Sequence, residues 1–445
     1  MNEGDIMDVI IFIIGLILLM FGIYKGRNIV IIVPIVLIAI IVLTGDIQQL
    51  FVYGRAYLKA MLDFSLANGL IFYLGVLFGA YISATQLASS MAKFLIHTLG
   101  EKRVILALIL LVNVMMLGGI SGFIIIFTIY PIALQVFNTL NIPKRFIFGL
   151  IGVSMATYLI GSTPGSLQIQ NIIPTMYLES NLFSGYQVGI ILTIYLFITG
   201  YFYLMMRIKQ SMQQEEAVKE KSIEVTEANH NKWVIFLPLV IVFVANLGFT
   251  LFVFPHVDLS NHQRIVYALN SSLILGIITT FLISKTKVDH KALWWRSFLT
   301  ALKPLLFVGT TVGFGTVISL MPMVQAFRQP LVDLNPLYGL PLAVAIFAGI
   351  SGSATGGLSI AFPFLGNDLI LQAERYGLSH DVLHRIAVMS SLTLDTLPTN
   401  GTTMTMLKVT GLTYKSIYFD YFVLTVLNTT IATSLGIFLI SLGFR

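Results

Sequence analysis

Asp395 is a carboxylate in the apolar run LHRIAVMSSLTLDTLPTNGTT, with no acidic neighbour nearer than Asp381. An ionisable residue in such a run is costly and reads by default as functional. Two roles stay open for it. It takes up a coupling proton, or it is fixed by nearby Thr and Asn donors and only shapes the chain. Around it lies LDTLPTNGTT, Leu394 to Thr403, and a second cluster of the same kind, GSTPGSLQIQN, runs from Gly161 to Asn171. Each follows a small-residue tip: GGISG, Gly118 to Gly122, before the first, and AGISG, Ala348 to Gly352, before the second. The spacing agrees between copies, with 230 positions from Gly122 to Gly352 and 234 from Pro164 to Pro398. One unit is therefore used twice.

Such clusters would be surface turns in a soluble protein. Here apolar runs flank them, and unpaired backbone at membrane depth is tolerated only where it lines a protein cavity. Paired interruptions in corresponding halves are the best sequence pointer to a transporter site. A helix that stops at mid-membrane leaves free N–H groups carrying partial positive charge at the start of its second piece, and anions bind there without a cation. The substrate-binding candidates are Ser121, Gly122, Ser162, Thr163, Gly165, Ser166, Gln168, Gln170 and Asn171 from one half. The other half supplies Ser351, Gly352, Ser353, Thr355, Thr399, Asn400, Gly401 and Thr402, with Asp395 as the proton-coupling candidate. These hydroxyls and amides suit a small hydroxy acid. No Lys or Arg falls within either break or tip. His384 and Arg385, at the start of the helix leading to Asp395, are placed either to attract an anion or to anchor at the headgroups, with anchoring favoured, and Glu179 reads as an outer-loop residue.

The elements that position these residues follow from composition. The chain has 445 residues, 57% hydrophobic and 10% charged, with mean hydropathy +0.90, whereas a globular domain carries about 25% charged residues. Spans of about 20 apolar residues recur with short connections, which predicts an all-α polytopic membrane protein. Strand-like alternation is absent, which excludes a β-barrel. The net charge of +6 is scattered over short loops as topology signals and implies no nucleic-acid partner. The absence of Cys removes disulfide, thiol and Cys-metal chemistry. The first apolar run lacks a basic n-region and a cleavage site, so it reads as a membrane helix and not a removed signal.

Residues 1–206 form a first repeat with an inner hairpin at about 104–140 and a broken helix at about 146–178. A polar linker, 207–232, holds five basic and five acidic residues. Residues 233–445 form the second repeat, with an outer hairpin at about 331–372 and a broken helix at about 381–412. If both GISG segments are re-entrant, eighteen Lys and Arg fall inside and seven outside, in keeping with the positive-inside rule. The two repeats then point in opposite directions. Phe51 to Ser65, and Trp294 with Trp295, read as interfacial segments.

At GSTPGSLQIQNIIPTMYL, SGSATGGLSIAFPFLG and LHRIAVMSSLTLDTLPTNGTTMTMLKVTGL the chain resembles the gluconate:proton symporter family, most closely its 3-hydroxybutyrate permease branch, within the wider ion transporter superfamily. The resemblance covers nearly the whole chain. It implies a bacterial inner-membrane importer of small hydroxy-carboxylates coupled to protons, with hairpins and broken helices moving in an elevator-like way beside a homodimeric scaffold. The family's first polar break maps on Ser162, Thr163, Pro164, Gly165, Gln168, Gln170 and Asn171, and its second on Asp395, Pro398, Asn400 and Gly401. Thr399 departs from the His expected after this proline in the hydroxybutyrate branch. Sodium would be served equally well by carbonyls and hydroxyls at the breaks, so a sodium-coupled carboxylate carrier stays open beside proton symport, with an anion channel further off. No HExxH, P-loop, GxSxG, paired GxGD or acid-rich prenyl-diphosphate motif supports a membrane enzyme. The expected partners are thus a small carboxylate, a proton or sodium, and lipid, with no cofactor and no metal.

Overall fold

The computed structural model describes residues 3–25, 27–100, 103–120, 122–212, 234–284, 286, 288–322, 325–398 and 400–445. Ser121, Thr399 and most of the linker lie outside the described residues. Every regular element among the described residues is helical. Six helices are long and apolar enough to cross a membrane, or seven if the bent pair Ala354–Leu365 and Asn367–Arg375 is one span. Large apolar side chains such as Ile31, Ile35 and Ile38 stay exposed along one helix, as lipid-facing residues do.

Two helices are longer than the apolar runs predict. Leu50–Ala84 is one continuous helix of 35 residues, so Phe51 to Ser65 is not a separate interfacial segment. No proline interrupts it, and its charged stretch is tolerated because the pair Lys59–Asp63, one turn apart, sits on the exposed side. Its counterpart His290–Leu320 runs for 31 residues and carries Trp294 and Trp295 within its first two turns. These helices pack against each other along their lengths. Gly309 and Gly313 make this possible: a Cβ on Gly313 would lie 2.8 Å from the Tyr57 ring, and small residues one turn apart are the usual device for close approach in membranes. The Tyr57 hydroxyl donates to Thr310 Oγ1 at 3.1 Å across the seam.

The first hairpin consists of Val104–Leu117 and Gly122–Thr139, within a residue of the sequence reading. The second consists of Pro336–Ser351 and Ala354–Leu365, after which the chain bends by 78° at Gly366 into Asn367–Arg375. The second arm is therefore shorter than the straight run to 372 that the sequence predicts. Gly366 has φ +60°, a conformation that favours glycine.

The second broken helix breaks earlier than predicted, while the first breaks within a residue of the sequence reading and is kinked ahead of its break. The first runs Phe146–Val153, passes through a π-helical stretch at Ser154–Tyr158 where Thr157 leaves helical geometry, and ends at Gly161. Its second piece is a short helix, Ile169–Ile172, continued by a 3-10 turn, Ile173–Met176. The second broken helix stops at Ser390 and resumes as Gly401–Thr410. Asp395 accordingly lies in the irregular connection and not inside a helix.

The halves interlock. Gly401–Thr410 packs against the first hairpin's Gly122–Thr139, and Ala354–Leu365 packs against the second piece of the first broken helix. Tyr177 stacks on Phe362 with ring centroids 5.1 Å apart. One continuous apolar core runs through the first hairpin, both broken helices and the helix Tyr186–Met212.

Candidate functional site

Each hairpin tip is tied to the break that follows it in the chain. At the first, Gln168 Nε2 donates to Met116 O at 2.9 Å and Ile120 O at 3.4 Å. Met116 O is one of the carbonyls that the end of a helix leaves without an intrahelical partner, and Ile120 O belongs to the tip itself. Ser162 and Thr163 hydroxyls turn back on Tyr158 O at 3.3 and 2.9 Å, and Ser166 Oγ donates to Leu159 O. Gly165 adopts φ +75° and donates its N–H to Leu182 O at 2.8 Å. Gln170 differs from these neighbours: its Oε1 is buried without a hydrogen-bond partner among the described residues.

Asn171 is saturated. Its Nδ2 donates to Ser166 O and Leu182 O, both at 2.9 Å, so the Oδ1 faces the other way and accepts. The donors to it are His384 Nε2 at 2.9 Å and Arg385 Nη1 at 3.2 Å. Because Oδ1 can only accept, His384 carries its proton on Nε2, and in the neutral ring Nδ1 accepts from Ser180 Oγ at 2.8 Å. Asn171 therefore holds the break in shape and has no group left for a ligand.

His384 and Arg385 overturn the reading of them as headgroup anchors, since both are 0% exposed. Arg385 uses all five of its N–H donors. Nε donates to Ser184 O at 3.0 Å, Nη1 to Gly161 O at 3.3 Å and to Asn171, and Nη2 to Leu182 O at 3.1 Å and Ser184 O at 2.8 Å. The second broken helix thus supplies the cation that ties Gly161 O at the first break to the Leu182 and Ser184 carbonyls of the loop beyond it. In the sequence, the signal for it was an Arg with Val382 and Leu383 before it and four apolar residues, Ile386 to Met389, after it.

At the second break the centre is Asp395, 7% exposed. Its Oδ1 accepts from Ala354 N at 2.8 Å and from Asn400 Nδ2 at 2.8 Å. Asn400 Nδ2 also donates to Gly352 O at 3.3 Å, while its Oδ1 caps the next helix by accepting from Thr403 N at 2.7 Å and Thr403 Oγ1 at 3.0 Å. Gly352, at φ +61°, closes the Pro336–Ser351 helix, and Ser353 Oγ accepts from Gly356 N at 3.4 Å. Ser351 Oγ is used locally, on Phe347 O at 2.7 Å. The N-terminus of Ala354–Leu365 and the N-cap side chain of Gly401–Thr410, Asn400, therefore meet at one carboxylate. Asp395 Oδ2 and the hydroxyls of Thr355 and Thr402 make no hydrogen bond among the described residues, and Gly401 has open space where a Cβ would stand.

Gly122 packs on Met155, whose sulfur would be 2.8 Å from a Cβ there, so it serves packing between the first hairpin and the first broken helix. Among the described residues no group of three or more His, Cys, Asp or Glu is placed to hold a metal ion.

An all-helical polytopic fold with two hairpin tips docked on two broken helices defines the chain as a membrane transporter. It belongs to the family of the transporter YxjC of Bacillus subtilis (strain 168), itself uncharacterized, with 30% identity over 467 aligned positions that cover 95% of this chain and 97% of that protein. No protein-family profile matches the chain. Among solved structures, the Alcanivorax borkumensis YdaH transporter, described as having an unusual topology, superposes with a TM-score of 0.52 over 89% of this chain and 90% of that one, at 12% identity. That likeness is one of fold.

Proposed function

We propose that the protein is a secondary transporter that imports a small hydroxy-carboxylate of the gluconate or 3-hydroxybutyrate type together with a proton, by alternating access. The observation that carries this reading is the second break, where the N-terminus of Ala354–Leu365 and Asn400, the N-cap of Gly401–Thr410, meet at Asp395. Helix N-termini favour an anion, each by up to about 2 kcal/mol in partly buried geometry. An incoming carboxylate competes with Asp395 for the same positive ends, and two like charges at one site are resolved when one of them takes a proton. Coupling of substrate to proton follows from that competition. Gln170 Oε1, Thr355 and Thr402 supply unpaired polar groups for substrate hydroxyls, while Asn171 and Arg385 hold the first break in place. The inner-membrane location, the inverted orientation of the repeats, the elevator-like motion and a homodimeric scaffold belong to the same reading.

The test is uptake of labelled 3-hydroxybutyrate and gluconate into proteoliposomes under imposed proton or sodium gradients. Asp395→Asn is expected to abolish proton-driven accumulation while leaving exchange of substrate across the membrane. Accumulation driven by sodium alone would replace the proton in the mechanism. Unaltered accumulation by Asp395→Asn, with unchanged pH dependence, would remove Asp395 from coupling altogether.

A further inference from the structure

The start of the His290–Leu320 helix carries a second built feature, away from both breaks. A groove of about 880 Å³ opens between this helix and Leu50–Ala84, lined by Gly69 and Tyr73 on one side and by Lys291, Trp294, Trp295 and Phe298 on the other. Its wall is aromatic: Phe298 stacks on Trp295 at 5.8 Å and meets Tyr73 edge-on at 6.2 Å. Its rim is polar and ordered. Trp294 Nε1 donates to the Tyr81 hydroxyl at 2.8 Å, and that hydroxyl lies 2.9 Å from His290 Nδ1. Lys291 is exposed and forms no ion pair among the described residues, whereas Arg296 stands on the other side of the helix, beside Asp289 and Ala292. Asp289, the neighbouring carboxylate in the chain, is occupied in capping, where its Oδ1 accepts from Ala292 N at 3.0 Å.

We propose that this groove binds an anionic phospholipid, with the acyl chain along the Phe298 and Trp295 rings and the headgroup phosphate at Lys291. The argument is charge complementarity. A long apolar groove alone accepts any acyl chain, whereas the unpaired Lys291 in its lining selects a headgroup of net negative charge. Basic residues at a membrane surface favour anionic lipid by about fivefold each. Trp at the rim is the residue type suited to the headgroup level.

The chain has three tryptophans, Trp233, Trp294 and Trp295, so a full-length Trp233→Phe protein reports on the groove alone. In neutral detergent micelles, phosphatidylglycerol brominated on its acyl chain is expected to quench this fluorescence at an at least fivefold lower mole fraction than brominated phosphatidylcholine. The preference should shrink in high salt and vanish in the Lys291→Gln variant, whose substitution is on an exposed side chain and should leave thermal unfolding unchanged, while Arg296→Gln should retain it. Equal quenching by the two lipids in the parent protein overturns the proposal, and that comparison does not depend on the variant. So does a preference that survives Lys291→Gln, and so does absence of quenching by either lipid, the result expected if a second copy of the chain covers this face.

Discussion

The five N–H groups of Arg385 all end on carbonyl oxygens, so its removal strands several buried acceptors at once. Each costs about 1 to 3 kcal/mol when left unpaired. Arg385→Gln should therefore lower stability by about 3 kcal/mol or more, read as thermal unfolding in detergent. Lys59→Gln, in the exposed pair with Asp63, should cost no more than about 0.5 kcal/mol. Asn171→Ala strands the same network from its other side. The double variant should be less destabilised than the sum of the singles, because contacting residues are coupled. Additive losses would mean that Arg385 and Asn171 act separately. This revises what Asn171 is expected to do. A loss of substrate affinity on its removal is now an indirect effect of a displaced break, shared with Arg385.

Between elements, glycines separate packing from ligand access. A Cβ on Gly357 would lie 2.6 Å from Ala348 Cβ and 2.7 Å from Val344 O, between the arms of the second hairpin. Gly357→Val should force the arms apart and cost roughly 1 to 3 kcal/mol, the usual penalty for overpacking. Limited proteolysis at the tip would report the opening, and resistance equal to the parent would show that the arms can yield. Gly401 is the opposite case, since nothing lies within 4 Å of a Cβ there and it begins the Gly401–Thr410 helix. Gly401→Ala should leave stability unchanged or raise it by about 0.5 to 1 kcal/mol. If this backbone approaches substrate, the same variant raises the KM for uptake. A stable variant with unchanged KM would take Gly401 out of the site.

For the whole molecule, orientation is the property that single-Cys labelling can read, because the chain has no native Cys. Asn141 follows the first hairpin and is exposed, and Tyr376 stands beyond the second hairpin and is 49% exposed. Repeats that point in opposite directions place these on opposite faces. Asn141→Cys should be labelled by an impermeant maleimide from the cytoplasmic side of oriented vesicles, and Tyr376→Cys from the outer side. Labelling of both from one side would mean that the repeats run in the same direction.

Composition and local pattern were enough to establish that this is a helical membrane protein, with two hairpins and two interrupted helices at matching positions. Those features depend on neighbours in sequence: apolar run length, and Gly, Pro and hydroxyl residues that stop a helix where they stand. The first hairpin's boundaries, Val104–Leu117 and Gly122–Thr139, are of this kind. The length of Leu50–Ala84 was not, because charged residues such as Arg55 and Lys59 look interfacial until it is known which side of the helix is buried. The site was legible in its residue types and not in its wiring. Asp395 is distinctive in the sequence, but its bond to Ala354, 41 positions away, depends on how the hairpin docks. His384 and Arg385 look like surface residues in the chain and are fully buried in the fold. The acceptors that make an interior Arg385 tolerable lie 201 to 224 positions away, and a buried charge is stable only where such partners converge. That convergence exists only once the halves have packed, so only the tertiary structure could decide it.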